Sequence, residues 1–231
     1  LDFDDSARKS DSRQGTVSSL IPTIDELFKE LNLKRSDLDA ICVGIGPGGF
    51  TGVRVIVVTA RTLAQVMGLG LIPVDSLETS FYDLLLTGVI ADSLSLSVIV
   101  KQASRTHVYL AAYKKGENSL PQLAQAPSYM TFEIAHEHLM QARYGGAKFY
   151  LDEAVGGQLN LPDANTTILP QVKNVAATQA QLGYLRLSLS DVVERRQIAE
   201  AFPYSKVEPL YLRGASVTLK KGDVVERVES H

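Results

Sequence analysis

The chain has 231 residues, 45% of them hydrophobic, enough to bury a sizeable core in one large domain or two small ones. With 23 basic against 26 acidic residues the net charge is −3, so tight direct binding of nucleic acid is not favoured. The single cysteine, Cys42, excludes an intrachain disulfide and fits a reducing cytosol; no run of 18 uninterrupted apolar residues exists and residues 1–20 are polar, so neither a membrane span nor a signal peptide is expected.

Residues 1–15 are polar, lack periodicity and read as a loop or frayed terminus. Leu20, Ile21, Ile24, Leu27, Phe28 and Leu31 then recur at helical spacing, which predicts a helix capped by Ser18 or Ser19 with Pro22 in its first turn. The β-branched run at 39–43 suits a strand buried on both faces. It enters a bend with four glycines in the seven residues from Gly46 to Gly52, where the backbone is free to adopt angles other residues disfavour. Thr51 is placed to cap a helix starting near Gly52. That helix carries Val53, Val55, Ile56, Val57, Val58, Ala60, Leu63, Ala64, Val66 and Met67, and so is expected to be buried nearly all round. One sheet cannot cover so much, which leaves two occupants for the spare face, a subunit partner or a second internal layer. Gly68 to Gly70 close the helix, 71–74 form a strand, and Ser76 opens a helix to about Thr87. Helix, strand, helix, strand, helix implies parallel strands joined by crossovers.

In the second half, 94–100 and 107–113 read as strands, antiparallel if 102–106 is a turn, with a further turn at 114–118. A helix is predicted over 132–143, strands over 148–151 and 167–169, and a helix over 176–189 with its Ala, Leu and Tyr residues inward. Residues 207–213 read as extended and the charged tail beyond as loose. A seam near 88–95 divides the chain into an N-terminal lobe, 1–92, with the glycine bend and interface helices, and a C-terminal α/β lobe, 93–231.

Chemistry is sparse. Gly44-x-Gly46-x-x-Gly49 matches the dinucleotide fingerprint in form, with Asp75 ending the next strand as a ribose-binding acid would. Pro47 intrudes, however, and the acid lies 26 residues past the last glycine. No Gly-Lys-Ser/Thr follows, which removes a P-loop, and no Gly-x-Ser-x-Gly occurs. His136 and His138 sit at i and i+2 on different sides of a helix, unable to share a metal, and are expected to be exposed. Cys42 reads as a buried inert thiol, and Arg54 as a salt-bridge partner of a nearby carboxylate or, less readily, an anion contact.

The stretch Gly46-Pro47-Gly48-Gly49-Phe50-Thr51-Gly52-Val53-Arg54 resembles the Gly-Pro-Gly-Ser-Phe-Thr-Gly-Leu/Val-Arg signature of the bacterial TsaB (YeaZ) family. The resemblance extends to 20–27, 37–41, 59–64, 73–77, Val108-Tyr109 and 209–213, dense in the first half and sparse in the second. It implies an actin- and sugar-kinase-like (ASKHA) α/β fold of two lobes that has lost its catalytic machinery: no catalytic residue, no cofactor, no metal. The implied role is a cytoplasmic scaffold for a TsaD-type subunit, in a heterodimer joined by a TsaE-type ATPase, making threonylcarbamoyladenosine next to the tRNA anticodon. Alone, the chain is expected to form a homodimer, and to meet tRNA only through the complex. The partner interface is assigned to Ile21, Ile24, Phe28, Val53, Val57, Ala60 and Ala64 on the first two helices; the signature loop is Gly46, Pro47, Gly48, Gly49, Phe50, Thr51, Gly52 and Arg54. There are departures from the pattern. The family's opening strands are not legible ahead of Leu20, so the first lobe is expected to lack part of its N-terminal sheet. Gly49 replaces the signature serine, Thr16 a histidine ahead of the first helix, and Gln102-Ala103-Ser104 an Asp-Ala-Arg motif. The competing reading is a nucleotide-binding enzyme that uses the glycine bend at 44–52, with Arg54 or Asp75 on the ligand.

Overall fold

The computed structural model describes residues 15–91, 95–141 and 144–212; the expectations for residues 1–14 and for the tail beyond 212 lie outside them. The fold is mixed α/β, built on two sheets. The first has two strands, β1 (Ala40–Gly44) and β2 (Gly70–Val74), paired parallel with Ala40 opposite Gly70 and Gly44 opposite Val74. Helix α1 (Gly15–Glu30) leads into β1, and α2 (Phe50–Met67) forms the crossover between β1 and β2. Helix α3 (Ser76–Leu86) follows. This is the helix–strand alternation that the apolar runs predict.

The second sheet has the order β5-β4-β3-β6-β7. Strands β3 (Ser97–Gln102), β4 (His107–Lys115) and β5 (Pro121–Thr131) form an antiparallel meander. Strands β6 (Lys148–Leu151) and β7 (Thr166–Ile168) add parallel to β3. Between them lie α4 (Phe132–Leu139), which stops four residues short of the predicted end, and the short α5 (Glu153–Gly156). Helices α6 (Val175–Ser188) and α7 (Arg195–Ala201) close the described chain. Sequence reasoning missed β5 and α7. Strand β5 carries Pro121 and Pro127, residues that suit only a sheet edge, and the edge is where it lies.

Helix α3 is shared between the sheets. Leu77, Phe81 and Leu84 pack with Ile99, Ala111, Tyr113 and Tyr150 of the second sheet, while Tyr82 packs with Val74 of β2 and Leu182 of α6. The chain then returns to where it began. Gly183 of α6 lies so close to β1 that a Cβ there would sit 2.8 Å from the Cys42 sulfur, and Leu71 of β2 donates its N–H to the Phe202 carbonyl after α7. A single cut near residue 92 therefore parts α6 and α7 from the strands they cover. Tyr184, predicted to face inward, is 72% exposed, because Leu182 and Gly183 take the buried side of α6.

Two helix starts differ from expectation. Helix α1 runs from Gly15, which puts Pro22 inside it rather than in the first turn. Helix α2 begins at Phe50 with Gly49 as its N-cap and no side-chain cap, so Thr51 lies within the first turn and caps nothing. At the other end of α2, Gly68 takes the left-handed conformation (φ 65°) that closes a helix, as predicted.

Candidate functional site

The glycine bend hangs between three anchors. From β2, Val74 offers its carbonyl to the Ile45 N–H at 3.0 Å. From the start of α3, Ser76 donates its N–H to the Gly46 carbonyl at 2.7 Å and its hydroxyl to the Pro47 carbonyl at 2.8 Å. From the end of the described chain, Leu210 donates its N–H to the Ile45 carbonyl at 2.8 Å, and the Tyr211 ring lies 4.8 Å from that of Phe50. The extended run predicted at 207–213 is thus, over its described residues to 212, a strap over the bend. Gly46 and Pro47 are buried under it, while Gly48, Gly49, Phe50, Thr51, Gly52 and Arg54 are exposed. Gly46 has φ 95°, a region that only glycine enters freely.

From the bend, α2 runs over the first sheet. Val57, Ala60 and Ala64, at spacings of three and four, pack with Val43, Leu69, Leu71 and Val207 and are buried. Of the seven residues assigned to a partner interface, these three therefore face the chain's own core, and Val53 is half-buried against it. The opposite stripe is open. Val58 is 52% and Val66 79% exposed, with Thr62 between them at i+4, and Ile56 flanks them at 46%. No second internal layer covers this face among the described residues. Helix α1 is also thinly covered: no side chain from Ser19 to Glu30 is buried, Ile21 is exposed, and Ile24 and Phe28 are half-buried. By length and composition α2 is apolar enough to cross a membrane, which the count of uninterrupted apolar residues did not anticipate.

The groups that a nucleotide reading needs are otherwise employed or idle. The Asp75 carboxylate caps α3, accepting from the N–H groups of Leu77 and Glu78 at 2.8 and 2.7 Å, and it also accepts from the Tyr113 hydroxyl. Burial raises its pKa against the pull of those donors. Arg54 is exposed and makes no ion pair among the described residues, so the expected salt bridge is not found among them. Buried instead is Glu78, whose carboxylate takes the Arg186 guanidinium of α6, and the same guanidinium reaches the Pro73 carbonyl. Burial raises the Glu78 pKa; the arginine opposes it. This seam between α3 and α6 has no signature in the sequence, since its partners stand 108 residues apart.

Cys42 is half-buried, donates to the Gln179 carbonyl at 3.1 Å, and has its thiol pKa pushed up to about 11 by burial. His136 and His138, predicted to be exposed, are both half-buried; His138 joins Tyr144 and Gln125 in a polar cluster. No group of three His, Cys, Asp or Glu residues able to hold a metal occurs among the described residues.

Comparison with known proteins adds the following. Residues 12–210 match the family described as TsaD: tRNA N6-adenosine threonylcarbamoyltransferase. The chain is 28% identical over 123 residues to the tRNA threonylcarbamoyladenosine biosynthesis protein TsaB of Escherichia coli, covering 53% of this chain and 51% of that protein. It is 32% identical over 96 residues to TsaB of Bacillus subtilis, covering 42% of this chain and 40% of that one. These matches span about half or less of the curated relatives. A Pseudomonas aeruginosa crystal structure, described as an uncharacterized protein with similarity to peptidase YEAZ, superposes with TM-score 0.63 at 19% identity, covering 85% of this chain and 83% of that one. At that identity the likeness speaks to the fold, and together with the family match it fits an ASKHA-type architecture.

Proposed function

Since the chain belongs to the TsaD (tRNA N6-adenosine threonylcarbamoyltransferase) family, with TsaB (YeaZ) proteins among its relatives, we propose that it serves in tRNA threonylcarbamoyladenosine biosynthesis as a non-catalytic subunit that binds and stabilises a TsaD-type transferase. One observation carries this reading: the outward stripe of α2, with Val58, Thr62 and Val66, stands uncovered beside the thinly covered α1. An apolar helical stripe of that kind favours a protein partner. Ile21, Ile24 and Phe28 of α1 remain suited to the contact; on α2 the contact shifts from Val57, Ala60 and Ala64 to the opposite stripe. The same surface serves a second copy when no transferase is present, and a TsaE-type ATPase joins the larger complex in the cytoplasm. The other face of α2 packs Val57, Ala60 and Ala64 against the first sheet, which favours a protein partner over lipid around this helix. The competing enzyme reading loses its acid, since Asp75 is committed to capping α3 and to Tyr113.

Depleting the chain in its native cells and measuring threonylcarbamoyladenosine in tRNA by mass spectrometry tests this role. The modification should fall on depletion; an unchanged level overturns the reading.

A further inference from the structure

Lysines are almost never buried without a reason. Lys101, half-buried, lies on the face of β3 that packs against α3, paired across the ladder with Tyr109 and one pleat from the buried Ile99. Its ammonium donates to the backbone carbonyl of Ser76 at 3.3 Å. Ser76 is the residue whose N–H and hydroxyl hold the carbonyls of Gly46 and Pro47. Two successive hydrogen-bonded steps, the second made of two parallel bonds, thus run from the second sheet, through the first residue of α3, to the buried half of the glycine bend. The charges acting on the ammonium are Asp152 after β6 and Asp75, the N-cap of α3; Asp75 in turn faces Glu78 of α3, Arg186 of α6 and the hydroxyl of Tyr113 on β4. Asp152 is itself tied to β3, accepting from the Gln102 N–H at 2.9 Å.

We infer that Lys101 is a positioning residue, which sets the shape of the glycine bend from the second sheet by way of Ser76. The bend in turn carries the N-terminus of α2, so the relay reaches the edge of the surface assigned above to the partner; it rests on that reading only for its consequence, not for its existence. Burial lowers the basicity of Lys101, while Asp152 and Asp75 oppose the change. Proton loss from Lys101 weakens the first step of the relay, and the bend should report it.

The test is carbon-detected NMR on the isolated labelled chain. The carbonyl resonances of Gly46 and Pro47 and the Cε resonance of Lys101 are followed as pH rises to about 10.5, near the ordinary lysine value. In the native chain the Pro47 carbonyl should titrate with the midpoint of the Lys101 Cε, below that ordinary value. In Lys101→Met the titration of Pro47 should vanish. In Ser76→Ala, which keeps the N–H bond to Gly46 and removes the hydroxyl bond to Pro47, Lys101 should still titrate and Gly46 should still follow, while Pro47 no longer does. A lysine that merely fills space predicts a Pro47 carbonyl unmoved by pH in the native chain, or one that still titrates in Ser76→Ala, and either result overturns the inference. Val58→Glu, on the proposed partner surface, should leave these resonances unchanged, so the relay and the partner reading fail separately.

Discussion

The ring of Tyr211 lies against that of Phe50, centroids 4.8 Å apart and planes at 30°, and so joins the end of the described chain to the first residue of α2. Both rings are partly exposed, Phe50 38% and Tyr211 46%, which limits what the pair contributes beyond its area. Tyr211→Ala should lower unfolding stability in urea by about 0.5–1.5 kcal/mol, the range for an aromatic pair. A loss well above 3 kcal/mol would mean that the strap is part of the core.

Arg186 and Glu78 set a sharper test. Removing the cation alone leaves a carboxylate in an apolar seam, a change that typically costs about 3–5 kcal/mol. Arg186→Met should therefore be severely destabilised in denaturant titrations, and the double variant Arg186→Met, Glu78→Gln should recover part of that loss. A double variant no better than the single one would show that the Pro73 carbonyl, not Glu78, is the partner that matters.

Glycine positions separate cleanly. A Cβ at Gly70 would stand 2.8 Å from the backbone oxygen of Ile198, which cannot swing away, whereas at Gly49 it would meet nothing within 4 Å. Gly70→Ala should cost about 1–3 kcal/mol, as overpacking does. Gly49→Ser restores the family's signature serine at the N-cap of α2 and should gain a few tenths of a kcal/mol, because serine accepts a helix N–H that glycine leaves open. Thermal unfolding of both variants checks the contrast.

The Cys42 thiol, raised from 9.0 to about 11 by burial, should react about 100-fold more slowly with a thiol reagent at pH 8 in the folded chain than in urea, each pKa unit being a factor of ten in thiolate. Its contribution to stability runs the same way. The unfolded thiol ionises first as pH rises, so the stabilisation present below pH 9 is lost on the way to about 11. Equal rates in folded and unfolded chains would place Cys42 in solvent.

Local chemistry was legible where a single rule decides. The strand at 40–44, the closing Gly68 and the parallel crossover follow from β-branched runs and glycine punctuation. Which side of α2 turns inward was not, because valines occupy both stripes and nothing in their spacing separates Val57 from Val58. Small residues settle it: Ala60 and Ala64 let the helix approach β1 closely, a signal present in the sequence but read as a contact with a partner. The strap at 207–211, the Arg186–Glu78 seam and the Lys101 relay join residues from 25 to well over 100 positions apart, and no periodicity records such distances.

We propose above that the outward stripe of α2 binds a TsaD-type subunit. Sedimentation velocity of the chain mixed with that subunit from the same source measures it, with the double variant Val58→Glu, Val66→Glu beside a control, Tyr184→Glu, on the exposed side of α6. The native chain and the control should form the complex, and the double variant should bind at least about tenfold more weakly, equivalent to about 1.4 kcal/mol. Undiminished binding by the double variant, or no complex with the native chain, would rule out this role for the stripe.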